Sequence, residues 1–123
     1  MTDLSDYLEN ALLNHVFRNT GLTSPTTVYV SAHTADPGED GSNEVSGGSY
    51  ARLAGAFGAP SGGQIALSSA LNFTSMPAAT ITHVGVWDAS SAGNFLMKAA
   101  LSASKVVGSG DTFSLTSLTL TLA

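Results

Sequence analysis

The segment THVGVWD, residues 82–88, decides the fold class of this chain. Its valines alternate with His83 and Trp87, and a period of two residues is typical of a β-strand. Small residues and Gly93-Asn94 follow, and a second apolar run begins at Phe95. This order predicts a β-hairpin, with His83 and Trp87 on the face opposite to the valines.

Further strands are predicted on both sides of this hairpin. Residues 27–34 are rich in β-branched and aromatic residues, and shorter runs follow at 50–57 and at 64–73, the latter broken near Ser68-Ser69. Strands at short spacing, joined by Gly-rich turns, predict a mainly β chain that forms an antiparallel β-sandwich or a barrel-like domain.

The last predicted strand, within residues 113–122, changes phase. Its first apolar residues are odd-numbered and its later leucines are even-numbered, so a regular strand would point them to opposite faces. Two explanations stay open. Either a β-bulge at Thr116-Ser117 returns both sets to the core, or the strand is buried on both faces, one half against its own domain and the other half against a neighbour.

One amphipathic α-helix is predicted, within residues 1–20, ahead of a β-domain that covers residues 26–123. We expect Thr2 to cap its start and Gly21 to end it. Asp6, Glu9 and Asn10 should lie on its wet face. Its apolar stripe consists of Leu4, Leu8, Ala11, Leu12 and either His15 or Val16. Residues 1–123 together have the length of one domain.

The composition of the chain limits its partners. Charged residues make up 11% of the 123 residues, and the net charge is −5, whereas soluble domains average about 25% charged residues. The four basic residues form no stripe, so nucleic acid is not an expected partner. No apolar run has membrane-spanning length, which predicts no membrane partner. The lack of charge instead predicts that copies of this chain, or other proteins, cover much of its surface.

The sequence predicts no active site and no cofactor. It contains no cysteine and no Gly-x-Ser-x-Gly elbow, and the acidic residues are not paired on facing strands. The acidic loop, residues 36–44, starts with the spacing of a calcium-binding loop, but Gly38 and Gly47 occupy two ligand positions. A solvated loop is therefore expected there, with no metal. His33 and His83 are expected to be hydrogen-bonded sheet residues or subunit contacts.

Several segments resemble a family of short phage tail-fibre-like virion proteins, in the same order along nearly the whole chain. They are LSDYLENAL at 4–12, TVYV at 27–30, EVSGGSYAR at 44–52, the hairpin at 82–94, and LSASK at 101–105 followed by SGDTF at 109–113. The resemblance implies a small non-enzymatic β-domain built into a virion, with Trp87 as a core or interface anchor. The chain departs from the family at residues 31–33, which are commonly more apolar.

The leading hypothesis is a phage structural protein, predicted to be a homotrimer at the tail tip or in a short tail fibre. Its expected partners are itself and other virion proteins, and its expected location is the virion, after assembly in the cytoplasm of the host bacterium. A capsid decoration protein is the alternative, and a module that binds host glycans is a third hypothesis. The candidate scaffold or interface residues are Tyr29, His33, Tyr50, Arg52, His83 and Trp87.

Overall fold

A computed structural model describes residues 2–122 of the chain. Its elements are β1 (Thr2–Leu4), α1 (Asp6–Phe17), β2 (Val28–His33), β3 (Leu53–Gly55), β4 (Gln64–Ala66), β5 (Leu71–Phe73), β6 (Ala79–Trp87), β7 (Phe95–Val107), β8 (Phe113–Leu115) and β9 (Thr119–Thr121). The predicted antiparallel, mainly β fold with one N-terminal helix is confirmed. The sheets of the described chain do not close into a barrel.

The predicted hairpin forms the centre of a five-stranded sheet with the order β1-β7-β6-β2-β3. In the pairing of β2 with β6, Val30 lies opposite Val86, while His33 lies opposite His83. Because side chains alternate along a strand, His83 and Trp87 share the face opposite to Val84 and Val86, as predicted. The two faces of the sheet therefore carry different sets of side chains.

The valine face of the sheet carries the hydrophobic core. Two ribbons, β4–β9 and β5–β8, pack over it and complete a two-layered arrangement. Tyr50 stacks on Phe73 at 6.1 Å between ring centroids, and Phe73 contacts Phe113 at 5.7 Å. The fully or nearly buried core residues include Val30, Ala32, Met76, Ile81, Val84, Val86, Met97, Phe113 and Leu118.

The start of α1 differs from the prediction. Residues 2–4 form a strand that pairs with β7, so the cap is Ser5 and not Thr2. The Ser5 hydroxyl accepts the Leu8 N–H at 3.2 Å and donates to the Phe95 carbonyl at 2.6 Å. Ser5 is the cap because its hydroxyl accepts from the first turn of the helix and also donates to a carbonyl at the start of β7.

The end of α1 also differs from the prediction. The helix stops at Phe17, four residues before Gly21, and Asn19 adopts a left-handed conformation with φ of 53°. Leu8, Ala11 and Leu12 are half-buried, as the predicted stripe requires. The expectation that His15 or Val16 continues this stripe is wrong, because both side chains are exposed.

The phase change near the C-terminus is a break between two strands. β8 pairs with β5, β9 pairs with β4, and residues 116–118 carry the chain from one ribbon to the other. Phe113, Leu115 and Leu118 are buried, whereas Leu122 is 56% exposed. The bulge explanation is wrong, because β8 and β9 are separate strands, although Leu118 joins Phe113 and Leu115 in the core. The burial of the later leucines against a neighbour stays a prediction. The strand predicted over 50–57 likewise shortens to β3.

Candidate functional site

Trp87 is the centre of a polar and aromatic network on the face of the sheet opposite the core. Its side chain is only 7% exposed, and its ring meets Phe95 edge-on at 5.1 Å between centroids. A Cβ atom at Gly85 would overlap the Phe95 ring, and one at Gly41 would overlap the Trp87 ring. Both glycines are therefore required by close packing around this pair of rings.

The Trp87 indole begins a chain of hydrogen bonds with a fixed direction. Its Nε1–H donates to Ser31 Oγ at 3.0 Å, and Ser31 Oγ lies 2.7 Å from His33 Nε2. His33 Nδ1 lies 2.8 Å from the Ser42 carbonyl oxygen, which can only accept. Nδ1 therefore carries the hydrogen, and Nε2 accepts from Ser31.

This arrangement holds His33 in its neutral form. Burial disfavours the imidazolium and lowers the pKa of His33, although the Ser42 carbonyl opposes this shift. A proton on Nε2 would also leave the Ser31 hydroxyl without its acceptor. Ser31 and His33 are both 0% exposed, so no external substrate reaches this serine–histidine pair.

Arg52 covers the outer side of the network. Its Nε and Nη2 each donate at 3.0 Å to Glu44, one to each carboxylate oxygen. Its Nη1 donates to the carbonyls of Ala89 and Ala92 at 3.0 and 2.9 Å. Its guanidinium carbon lies 3.7 Å from the Trp87 ring centroid, within cation–π range. One side chain thus joins the loop that precedes it, the sheet, and the turn between β6 and β7.

Tyr50 connects this network to the hydrophobic core. Its hydroxyl donates to Glu44 Oε2 at 2.7 Å and accepts the Ala32 N–H at 3.0 Å. Burial raises the pKa of the Tyr50 hydroxyl, so the group stays protonated and keeps donating. Its ring meanwhile stacks on Phe73 in the core.

The acidic loop is bound to its own chain. Asp36 pairs with Lys98 at 2.8 Å, and Glu39 accepts the Asp6 N–H at the start of α1 at 2.6 Å. The Lys98 hydrogen bond lowers the pKa of Asp36, and the Ser42 hydroxyl lowers the pKa of Asp40. Within residues 2–122, no three His, Cys, Asp or Glu side chains are grouped to hold a metal ion.

The structure brings four of the six predicted residues together. His33, Tyr50, Arg52 and Trp87 belong to the network, while Tyr29 and His83 are half-buried at neighbouring positions on the same face of the sheet. Across the described residues, every buried side-chain nitrogen or oxygen has a hydrogen-bond partner. Chemically, the arrangement is a clamp that fastens residues 36–48 and 88–94 to the sheet.

Three members of the clamp were not singled out from the sequence as site residues. Glu44 was assigned to the acidic loop, Ser31 was noted as a departure from the family, and Phe95 as the start of a strand. The segment at 44–52 contains Glu44, Tyr50 and Arg52, so its resemblance to the phage family was the available signal. No spacing rule pairs an acid and a base eight residues apart in a loop.

Comparisons with known proteins complete the description of the site. Residues 3–123 match the model of a family described as "Podophage GP4 fiber I protein gp80". The resemblance to phage tail-fibre-like proteins is thereby confirmed. No curated protein matches the chain. In the part of the chain that the structure describes, no helix has the length and apolar character to cross a membrane.

Proposed function

The chain belongs to the Podophage GP4 fiber I protein gp80 family, and from that premise we propose that it is a homo-oligomeric building block of a short tail fibre or tail tip. Membership makes it a phage fibre structural protein and a virion component. The finer proposal concerns its position, its self-assembly and its lack of enzymatic activity. Self-association and contacts with other virion proteins are its proposed partnerships, formed in the host cytoplasm.

The observation that carries this proposal is the exposed apolar surface of a chain with little charge. Phe17 is 78% exposed, Val16 66% and Leu13 56%, although only 11% of all residues are charged. A free monomer keeps its surface charged and its apolar patches small. A subunit whose surface is covered by neighbouring subunits does not need a charged surface or small apolar patches.

The clamp supports a structural role. Its serine–histidine pair is sealed from solvent, and its arginine, glutamate and tyrosine are consumed by bonds within the chain. We propose on this basis that the protein is not an enzyme. Esterase and glycosidase assays on the pure protein test this, and sustained turnover would contradict it.

A glycan platform has little support in the geometry. Trp87 is covered by Arg52 and is 7% exposed, so its ring is not free to stack on a sugar. A glycan array on the assembled protein tests this point. If the protein binds a specific glycan and still does so after mutation of the acidic loop, the binding surface lies outside both that loop and the Trp87 ring.

The copy number in purified virions tests the position of the protein. A tail tip or short fibre holds a few to a few dozen copies of a subunit, whereas a decoration protein repeats with the capsid lattice. Quantitative mass spectrometry against the major capsid protein measures this ratio. Hundreds of copies in each particle would overturn the tail proposal in favour of capsid decoration.

A further inference from the structure

The end of α1 presents an apolar surface that nothing else within residues 2–122 covers. Leu13, Val16 and Phe17 follow the spacing that places side chains on one face of a helix, and all three are exposed. Their exposed fractions are 56% for Leu13, 66% for Val16 and 78% for Phe17. We call these three side chains the α1 knob.

A groove of about 630 Å³ opens elsewhere on the same chain, between the main sheet and the β4–β9 ribbon. Its lining includes Leu8 of α1, Phe57, Ile65 of β4 and Leu120 of β9. Among the described residues, none of the side chains that line it is charged. We call it the core groove, because its floor contains Val86 and Met97 of the hydrophobic core.

We infer that the α1 knob of one copy occupies the core groove of the next copy. This inference rests on the proposed homo-oligomeric function and specifies which surfaces meet. A cavity of about 150 Å³ already holds a benzene ring, so a groove of about 630 Å³ has room for the Phe17 ring together with Leu13 and Val16. Both surfaces are apolar, and their burial against each other removes them from water.

The exposed area of the whole chain agrees with a missing neighbour. A folded monomer of this mass is expected to expose about 6,100 Å², whereas this chain of 12.4 kDa exposes 6820 Å². The excess, about 700 Å², approaches the roughly 800 Å² that each partner contributes to a standard interface.

The charges of α1 favour a head-to-tail contact. Asp6 and Glu9 lie in its first turn, near Leu8 of the groove lining, whereas His15 and Arg18 lie at the knob end. Insertion of one knob into the next groove brings the basic end of one helix towards the acidic end of its neighbour. Because the two surfaces are different, repeating the contact closes a ring or extends a filament.

Two charged substitutions test the knob and the groove independently. Phe17→Glu places a charge on the knob and leaves the groove intact, while Ala56→Glu places one in the groove and leaves the knob intact. Both positions are exposed, so circular dichroism should show unchanged folds. Lys105→Glu is the control, because Lys105 is exposed and lies outside both surfaces.

Light scattering on the wild type, on each variant and on their mixture gives the answer. We expect an oligomer for the wild type and the control, monomers for each variant alone, and 1:1 dimers when the two variants are mixed. Such dimers form because one intact knob and one intact groove remain between the two chains, and the charged surfaces block further growth.

The other outcomes are distinguishable. If Ala56→Glu stays assembled, or if the mixture stays monomeric, the knob does not enter the groove and the inference is overturned, while self-assembly itself stands. A wild-type chain that is monomeric at every concentration overturns both the inference and the proposed homo-oligomer.

Discussion

The two sides of the central sheet are completed in opposite ways. On the Trp87 side, the chain folds its own acidic loop over the strands, and every buried side-chain nitrogen or oxygen of the described residues has a hydrogen-bond partner. On the valine side, two short ribbons cover the core only in part and leave the core groove open. The α1 knob adds apolar surface beside this second, incomplete side.

This difference separates two roles within one small domain. The clamp consists of hydrogen bonds and ion pairs whose geometry is specific, so it fixes the shape of the fold. The knob and the groove are apolar and accept a range of packing arrangements, which suits contacts between subunits. We expect substitutions in the clamp to act on folding and substitutions in the knob to act on assembly.

The largest expected effect tests the clamp at its centre. Trp87→Ala should lower the free energy of unfolding by about 3–5 kcal/mol, because it leaves a cavity beneath Arg52 and removes the hydrogen bond to Ser31. Urea denaturation measures this change. A loss below about 1 kcal/mol would mean that the Trp87 ring contributes little to the fold.

Removal of Arg52 should come next. Arg52→Ala leaves Glu44 without its bidentate partner, and we expect a loss of about 3 kcal/mol in the free energy of unfolding. Lys98→Ala is the matched control, since its partner Asp36 lies on the surface. The control should unfold like the wild type. Equal losses of unfolding free energy for the two variants would show that the buried Arg52–Glu44 pair stabilises the fold no more than the surface Lys98–Asp36 pair does.

A pH titration tests the neutral state of the buried His33. Its pKa is lowered in the folded protein, so unfolding takes up a proton as the pH falls below the ordinary value of 6.5. The wild type should therefore lose stability on going from about pH 8 to about pH 5, and His33→Gln should lose less over the same range. Identical slopes for the two proteins would contradict the neutral His33.

The smallest expected effect is that of Phe17→Ala, with the buried Phe95 as its counterpart. Phe95 is 4% exposed and Phe17 is 78% exposed. Phe95→Ala should cost about 3–5 kcal/mol of unfolding free energy, whereas Phe17→Ala should stay within about 0.5 kcal/mol when measured on dilute monomers. A large loss for Phe17→Ala under those conditions would place the knob in the folding core instead of an interface.

Local patterns predicted the fold class well because the deciding signals are local. The alternation around Val84 and Val86 fixed the hairpin and the face of His83, and no distant residue could reverse it. The start of α1 was missed because Ser5 is chosen by a carbonyl of Phe95, ninety residues away in the chain. The break near Thr116 was missed because its two strands pair with different partners.

The clamp was predicted only as a set of separate residues. Tyr50, Arg52 and Trp87 were candidates because they are aromatic or basic residues. Their mutual contacts could not be predicted, because they join segments of the chain that come together only in the folded sheet. The α1 knob was not predicted from the sequence. Helical periodicity identifies the apolar stripe that packs on the domain, but it does not show that Leu13 and Phe17, which lie outside this stripe, form a second apolar surface exposed to solvent.

The solvent exposure of position 16 in the assembled protein is the sharpest test of the knob-in-groove contact. The chain has no cysteine, so Val16→Cys introduces a single thiol whose labelling rate reports its exposure while Leu13 and Phe17 stay in place, and Ser104→Cys provides an exposed control. We expect rapid labelling of both positions in dilute monomers, and slow labelling at position 16 alone once the protein assembles. Equally rapid labelling of position 16 before and after assembly would contradict the insertion of the α1 knob into the core groove.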